Sequence, residues 1–533
     1  MTPDIAYSSL LPLLVVLGAA IVSVLVEAFA PARHRYITQM VLYLGGLGAA
    51  LGAAALLAGT RTVTAGGAVA GDGPALFPQG ATVLVAIGAG LLIGERARVA
   101  AGSRPPVLAG FAPQAALAPG GDAEREAERA GVTQTEVFPL ALFATGGLML
   151  FPAANDLITL FIALEVLSLP LYVMCGMARR RRFLSQEAAV KYFLLGSFSS
   201  AFFAYGAALI YGYAGTVEFR GIAAVVATEG GSSLALIGVA MMSVGLLFKV
   251  GAVPFHTWTP DVYQGAPTSI TAFMAAGTKL AAFGAILRFF HVAVPRLEAD
   301  WAPVLWVIAA LTMIVGTVVG VTQNDVKRLL AYSSVAHAGF LLTGVLGPPV
   351  AGTSAVLFYL AAYAVSTVGV FAVAGLVRDP DGAEITDLQA WAGLGRRQPV
   401  VAGAFALLLL ALAGIPLTSG FIAKFAVFSE AVAGGAVSLV GVGGLTSANG
   451  ASFYVRVIGV MFFRDASSGS GSGSGSAAPG ALAAGEVAFP RRPVTYAVVG
   501  VAVVVTILLG IMPQPLLDLA TAASWFVGAE FGG

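Results

Sequence analysis

The stretch Leu246–Leu280, LLFKVGAVPFHTWTPDVYQGAPTSITAFMAAGTKL, combines features that an ordinary membrane helix avoids. It carries Lys249 inside an apolar run, Pro254 five residues later, and Lys279 in the next apolar run. Charged side chains inside a membrane span are costly and usually take part in ion movement. Proline removes a backbone hydrogen-bond donor, and the carbonyl groups that it frees need polar partners. The stretch therefore predicts a broken membrane helix beside an ion pathway.

The composition of the whole chain is that of a polytopic membrane protein. Of its 533 residues, 58% are hydrophobic and only 10% are charged, whereas soluble domains carry about 25% charged residues. Apolar runs of about 20 residues predict an all-α membrane protein with about 14 transmembrane helices. The predicted spans are residues 8–29, 37–58, 75–94, 137–155, 157–178, 188–213, 233–258, 268–293, 301–322, 328–346, 352–377, 400–430, 436–463 and 494–512.

The distribution of positive charge in the loops predicts the orientation. Of the 28 Lys and Arg residues, 19 fall in the loops after odd-numbered spans, including Lys327, and three fall in the opposite loops. Positively charged loops stay in the cytoplasm, so both termini are expected on the non-cytoplasmic side of a bacterial inner membrane. Two long loops stand apart. Residues 96–136 contain DAEREAERAG, which predicts a surface helix, and residues 466–485 read as a flexible linker.

Lysine is rare in this chain, and its placement is selective. Four of the five lysines lie inside hydrophobic segments, whereas nearly all arginines lie in loops. Arginine keeps its proton in proteins, but a desolvated lysine can release it, as a proton path needs. Snorkelling of a long side chain to the interface is the alternative, and it fits Lys191 near a span end. It does not fit Lys279, about 16 Å from either end of its span.

The segments GAVPFH around Pro254 and GIPLTSG around Pro416 suggest an internal repeat. The two prolines are five spans apart, and an odd spacing gives the second copy the opposite topology. This predicts two inverted five-helix repeats, each with a broken helix, as in many transporters. Two unrelated proline kinks are the alternative. The predicted division is residues 1–95 with three helices, repeats at 137–293 and 301–463, and a last helix with its tail at 494–533.

The remaining titratable residues within spans complete a candidate proton pathway. Glu165, the only carboxylate near the middle of a predicted span, needs a partner or a proton, and Lys249 is the expected partner. A purely structural ion pair is the alternative reading. Lys424 lies eight residues after Pro416, in the second broken helix. The predicted pathway consists of Glu165, Lys191, Lys249, Lys279, His337 and Lys424, with water between them.

Three polar side chains are expected to support this pathway. Ser333 and Ser334 lie about one turn before His337 and share a helix face with it. His256 follows the break at Pro254 and is expected to bond freed carbonyl groups. Two further charged residues within spans, Arg288 and Arg456, lie near span ends and are read as interface anchors.

The sequence offers little for redox, metal or nucleic-acid chemistry. A single cysteine excludes internal disulfides and cysteine-ligated iron–sulfur clusters. Four scattered histidines predict no metal site, and a net charge of +1 gives no indication of nucleic-acid binding. The glycine-rich segment at residues 45–51 lies in a span rather than after a strand, so it is not a dinucleotide fingerprint. No cofactor is expected in this chain.

Three segments resemble a known family, the antiporter-like membrane subunits of respiratory complex I (NADH–quinone oxidoreductase) and their relatives in multisubunit sodium/proton antiporters. They are FKVGAVPFHTWTPDVYQGAPT (Phe248–Thr268), QNDVKRLLAYSSVAHAG (Gln323–Gly339) and GIPLTSGFIAKF (Gly414–Phe425). The resemblance covers residues 137–463. It implies fourteen core spans with two inverted repeats. It also implies a proton channel through Glu165, Lys249, Lys279 and Lys424.

Within this family the chain resembles most the branch called subunit N. It lacks the long lateral C-terminal helix of branch L, and it has Lys424 where branch M usually has glutamate. The resemblance implies that sibling membrane subunits and the lipid bilayer are its partners. NADH, FMN, iron–sulfur clusters and quinone are expected in other subunits of the complex, so this chain would be a non-redox part of a translocase.

Two other functions are weighed against a proton-translocating subunit. A sodium/proton exchanger subunit would need clustered carboxylates and carbonyls for sodium, and Glu165 alone supplies too few. A scaffold without transport would leave the insertion cost of four buried lysines unused, about 2.5–3.5 kcal/mol each. Protons are therefore the expected cargo.

Overall fold

A computed structural model of the chain describes residues 5–95, 135–178, 182–379, 382–465 and 487–527, and most of them are helical. The helices are α1 Leu11–Phe29, α2 Ala32–Leu56, α3 Gly73–Gly94, α4 Val137–Leu150, α5 Leu157–Cys175, α6 Arg182–Ala214, α7 Phe219–Glu229, α8 Ser233–Val250, α9 Trp258–Gly265, α10 Thr268–Arg288, α11 Glu298–Thr322, α12 Val326–Val345, α13 Pro349–Ala374, α14 Leu394–Arg397, α15 Pro399–Ala413, α16 Ser419–Ala433, α17 Val437–Phe463, α18 Pro493–Ile511 and α19 Gln514–Ala522. Short 3₁₀ segments span Phe151–Ala153, Pro295–Leu297 and Leu388–Trp391, and a π-helical turn spans Phe289–Ala293.

The described helices confirm a helical, polytopic membrane protein. Ten of them are long and apolar enough to cross a membrane, by length and composition. Two more apolar segments, Val137–Ala153 and Pro399–Ala413, are shorter. Every stretch that the sequence predicts as a span overlaps at least one helix. The count of fourteen spans and the division into inverted repeats stay predictions, and the expected surface helix and linker fall almost wholly outside the described residues.

A small β-hairpin, which the sequence analysis did not anticipate, connects α2 to α3. Strand β1, Thr62–Thr64, pairs antiparallel with strand β2, Val69–Gly71. Gly66 and Gly67 form the turn with φ of 68° and 96°, a region that glycine adopts without strain. The Asn155 side chain donates to the Gly67 carbonyl at 3.0 Å, so the hairpin is tied to the start of α5.

The core of the bundle is built around α10 and α13, which pack against each other. Nearly all side chains of these two helices are buried. Helices α3 and α8 also pack on α10, while α12, α16 and α18 pack on α13. Outer helices such as α1, α2 and α6 keep exposed apolar side chains, as helices that face lipid do. Lys279, on α10, consequently lies at the centre of the protein.

Both predicted breaks are present, but the helices end before the prolines. Helix α8 ends at Val250, and Gly251 follows with a φ of 74°. Helix α15 ends at Ala413, and Gly414 follows with a φ of 83°. In each case the amide after the glycine returns to the carbonyl five residues earlier, at 2.9 Å and 3.1 Å. This is the Schellman arrangement, in which a left-handed glycine stops the helix and a proline beyond it prevents continuation.

Arg288 is not an interface anchor, which corrects the sequence-based reading. Its guanidinium is fully buried and forms two hydrogen bonds to Asp72, at 3.0 and 2.5 Å, and one to the Pro152 carbonyl, at 2.8 Å. Asp72 also caps α3 and accepts the Val527 amide at 2.9 Å. The segment after α19 therefore docks onto this pair. Sequence position could not show this, because the two charged residues are 216 positions apart.

Replacing Arg288 with methionine is expected to destabilise the chain by about 3–5 kcal/mol, because Asp72 would stay buried without its cation. The measurement is the thermal stability of the purified complex that contains the variant. Arg296→Met, which removes an exposed arginine nearby in sequence, is the matched control. The double variant Arg288→Met with Asp72→Asn should recover part of the loss. Equal stability of Arg288→Met and Arg296→Met would contradict a structural role for the pair.

Candidate proton pathway

Lys249 lies in the last turn of α8, where it is 2% exposed. Its ammonium donates to the Ser168 hydroxyl at 2.7 Å and to the Tyr192 hydroxyl at 3.3 Å. Ser168 is on α5 and Tyr192 is on α6, so three helices converge on one lysine. Both partners are neutral groups that can accept or donate a hydrogen bond.

Glu165 does not form the direct ion pair with Lys249 that the sequence analysis expects. No ion pair among the described residues includes Glu165, and its Oε1 atom is buried without a hydrogen-bond partner. Ser168 follows Glu165 by three positions and therefore lies on the same face of α5. The ammonium of Lys249 binds this hydroxyl at 2.7 Å rather than the carboxylate.

Lys279, near the middle of α10, contacts the first break directly. Its ammonium donates at 2.9 Å to the carbonyl of Val250, the last residue of α8. It also lies 5.8 Å from the centre of the Tyr363 ring. The C-terminal end of a helix carries partial negative charge, so a lysine ammonium is favoured there.

Lys424, on α16, has the same relation to the second break. Its ammonium donates at 2.8 Å to the carbonyl of Ala413, the last residue of α15, and at 2.8 Å to the Ser447 hydroxyl. The ammonium also lies 4.7 Å from the centre of the Phe340 ring. Each interrupted helix therefore ends on a buried lysine.

The three buried lysines differ from the buried Arg288 and Lys327 in the charge of their partners. Within the described part of the chain, Lys249, Lys279 and Lys424 have only neutral hydrogen-bond partners. Arg288 instead pairs with a carboxylate, and so does Lys327. A lysine held by hydroxyl and carbonyl groups can lose its proton without leaving an unpaired carboxylate behind.

His337, on α12, is held through both ring nitrogens. Nδ1 is 2.7 Å from the Tyr359 hydroxyl, and Nε2 is 3.5 Å from the Tyr454 hydroxyl. Tyr454 also hydrogen-bonds Ser333, one of the hydroxyls that the sequence analysis placed beside this histidine. The imidazole therefore has a hydroxyl group on each side, which is the arrangement that a proton relay requires.

Ser334 connects this histidine region to α9 and α13. It accepts from the Tyr363 hydroxyl at 2.9 Å and lies 3.3 Å from the Tyr263 hydroxyl. Sequence reasoning missed these tyrosines, together with Tyr192, Tyr359 and Tyr454. Aromatic residues at helical spacing look like packing residues, and only the tertiary structure shows that their hydroxyl groups meet.

His256 is half-buried, and its ring lies edge-on to Tyr332. Its expected role in bonding freed carbonyl groups stays a prediction. Its Nδ1 atom is buried without a partner. No hydrogen bond among the described residues joins His256 to the network around His337.

Lys191 lies outside the buried row of lysines. Its side chain is 42% exposed and pairs with Glu187 at 2.6 Å and with Asp261 at 2.8 Å. The sequence leaves two roles open for Lys191, a relay residue and a snorkelling anchor. In the structure this lysine lies near a charged surface rather than in the buried network. It lies nine residues after the start of α6, and its long side chain reaches two carboxylates.

Lys327 was assigned to a loop by its sequence position, yet it is only 1% exposed. It donates to the Ala266 carbonyl at 2.6 Å and lies 3.4 Å from Glu384. Burial raises the pKa of Glu384, but nearby Lys327 and Arg378 and hydrogen bonds from Thr268 outweigh it and bring the pKa down to about 2. Glu384 therefore stays ionised at neutral pH and acts as a fixed countercharge.

Comparison with known families identifies relatives of this arrangement. The profile of the family described as "NADH:quinone oxidoreductase/Mrp antiporter, TM" matches residues 154–448, more than half of the chain. A protein from Rhodococcus opacus named NADH-quinone oxidoreductase subunit N is 59% identical over 539 residues, covering 98% of this chain and 97% of the relative. A protein of the same name from Mycobacterium tuberculosis is 56% identical over 537 residues, covering 98% of both.

Solved structures share the fold over nearly the whole chain. A chain of respiratory complex I from Thermus thermophilus superposes with a TM-score of 0.74 at 31% identity, covering 96% of this chain and 99% of that one. A chain of the Mrp complex from Dietzia superposes with a TM-score of 0.76 at 23% identity, covering 96% and 97%. The second likeness concerns the fold alone.

Proposed function

The chain belongs to the family of NADH:quinone oxidoreductase and Mrp antiporter membrane subunits, and we propose that it is a proton-translocating subunit of an NADH-quinone oxidoreductase. Its partners are the other membrane subunits of that complex, and it lies in a membrane as a multi-pass protein. The bacterial inner membrane, with both termini on the non-cytoplasmic side, is the expected location. Within the complex this chain carries no redox group, and the NADH, FMN, iron–sulfur and quinone sites belong to other subunits.

The observation that carries this proposal is the set of three buried lysines with only neutral partners. A structural ion pair would hold its lysine permanently charged, because the carboxylate would be left uncompensated otherwise. Here hydroxyl and carbonyl groups hold the ammonium of Lys249, Lys279 and Lys424. Lysine can bind and release a proton in such surroundings, whereas arginine cannot.

The hydrogen bonds suggest an order for the transfer. A proton enters at Glu165 on α5 and Lys249 on α8, where the Ser168 hydroxyl binds the lysine ammonium, and moves through water to Lys279. Tyr363 and the hydroxyls around His337 connect Lys279 to the second half of the protein. Lys424 receives the proton last and releases it beyond the second break.

Coupling to quinone reduction elsewhere in the complex requires two states with different proton affinities. In one state the Ser168 hydroxyl holds Lys249 apart from Glu165 and favours release of the lysine proton. In the other state the two charged groups meet and favour proton uptake by Lys249. Reduction of quinone would shift the local field and so change the population of these states.

The fold likeness to a Mrp complex chain makes sodium/proton exchange the second candidate. The two functions differ in driving force and in ion. We expect vesicles with the intact complex to build an NADH-driven proton gradient that a protonophore collapses and that sodium-free buffer leaves unchanged. The assay reads internal pH with a fluorescent dye and sodium with a sodium electrode. A gradient that needs sodium, or proton exchange driven by sodium without NADH, would contradict the proposal.

A further inference from the structure

Helix α9 is the short segment that follows the first break, and α12 holds it at several points. Arg328 donates to the Asp261 carboxylate at 2.6 Å and to the side-chain oxygen of Gln264 at 3.1 Å. Gln264 in turn donates to Asp325 at 2.8 Å. Lys327 adds its bond to the Ala266 carbonyl at 2.6 Å. Three charged residues near the start of α12 therefore bind one eight-residue helix.

Asp261 is the centre of this contact because it also reaches a third helix. Its second oxygen accepts from Lys191 on α6 at 2.8 Å, while its first accepts from Arg328. Partial burial raises the pKa of Asp261, but the hydrogen bonds and charges of Lys191 and Arg328 lower it overall. The carboxylate is thus held in its ionised form between two cations. Glu187 is the other carboxylate that faces Lys191.

The two helices joined in this way belong to different halves of the pathway. The start of α9 is eight residues after Val250, whose carbonyl binds Lys279. Helix α12 carries His337, and Tyr263 of α9 lies 3.3 Å from Ser334 of α12. The contacts therefore join the helix that follows the first break to the helix that carries His337.

We propose that Asp261, Lys191 and Arg328 form a cross-repeat clamp that makes α9 and α12 move as one unit and so couples the first break to His337. The clamp rests on the proposed function. Its members are positioning residues, since none of them lies in the buried row of lysines. An isolated exposed ion pair contributes little to stability, but this carboxylate joins three helices and is reinforced by Gln264, Asp325 and Lys327. The clamp also accounts for Lys191, whose charge serves α9 rather than the proton path.

The test compares Asp261→Asn with Arg328→Gln in vesicles that contain the intact complex. Both variants are expected to oxidise NADH at near the normal rate with protonophore present. We expect the number of protons moved per NADH to fall by about twofold or more. A twofold change is the smaller effect expected when a residue that couples two sites is replaced. The double variant should lose no more than either single variant, because both break the same clamp. Arg396→Gln, which removes the exposed pair with Asp465, is the matched control and should change nothing.

Several results would overturn the clamp. If both single variants move the normal number of protons per NADH, the contact is only structural. If the loss in the double variant equals the two single losses multiplied together, the two residues act independently. Should Asp261→Asn fail to assemble, Lys191→Gln serves instead, because it removes the other cation that Asp261 binds and leaves Arg328 in place. Lys249→Met, measured in parallel, separates the two proposals. Loss of pumping in Lys249→Met with a normal ratio in Asp261→Asn rejects the clamp alone, whereas normal pumping in Lys249→Met rejects the proposed function.

Discussion

Replacing Lys249 with methionine is expected to lower NADH-driven proton translocation by this chain about a hundredfold, the lower range for a positioned proton-transfer group. Methionine fills a similar volume among apolar neighbours but cannot carry a proton. The Ser168 and Tyr192 hydroxyls would lose their shared donor, and Glu165 would lose a neighbouring cation. The measurement is dye-detected proton uptake by vesicles, normalised to the amount of assembled complex.

Lys249→Arg is the variant that separates charge from proton transfer. Arginine keeps the positive charge and can donate to the same hydroxyl groups, but it does not release its proton. A pathway that needs the proton to move predicts that Lys249→Arg fails as Lys249→Met does. Normal pumping by the arginine variant would mean that Lys249 acts only as a fixed charge.

Replacing Lys424 with methionine is expected to have a comparable effect, about a hundredfold, because it removes the last proton carrier in the proposed order. The Ala413 carbonyl at the end of α15 and the Ser447 hydroxyl would lose their donor. We expect the proton-to-NADH ratio to fall, or NADH oxidation to fall with it if coupling is obligatory. Both quantities are measured on the same vesicles.

Ser447→Ala is the graded control for Lys424. It removes one of the two hydrogen bonds to the ammonium but leaves the proton carrier and the Ala413 contact in place. Its effect should therefore be much smaller than that of Lys424→Met. If both Lys249→Met and Lys424→Met leave the ratio and the rate of NADH oxidation unchanged, the channel through these lysines does not exist.

Local sequence signals account for much of the fold. Hydropathy predicted the helical membrane segments, because a span must satisfy its own backbone hydrogen bonds and present apolar side chains to lipid. Proline after glycine indicated both breaks, although the left-handed glycines rather than the prolines end the helices. The rarity of lysine outside hydrophobic segments singled out Lys249, Lys279 and Lys424, and all three are buried.

The partners of these lysines could not be read from the sequence. Lys249 and Ser168 are 81 residues apart, and Lys279 and Val250 are 29 apart. Hydropathy and helical periodicity are properties of neighbouring residues, so they do not register contacts at such separations. The sequence predicted that Glu165 pairs directly with Lys249. It could not show that the Ser168 hydroxyl accepts from this lysine.

Burial of charge shows the same division between sequence and tertiary structure. Arg288 looked like an anchor at a span end, and Lys327 looked like a loop residue, yet each is buried against a carboxylate from a distant segment. Lys191 was open to two readings, a relay residue or a snorkelling anchor, and it meets Asp261 near the surface.

The sequence by itself determined which helices are long and apolar enough to cross a membrane, where helices break and which lysines lie within apolar segments. Only the packing of α5, α6, α8, α10, α12 and α13 decided which hydroxyl, carbonyl or carboxylate each charge would meet. The physical reason is that a charged residue and the apolar segment around it are neighbours in the sequence. The groups that bind the charge are distant in the sequence, and only folding brings them to it.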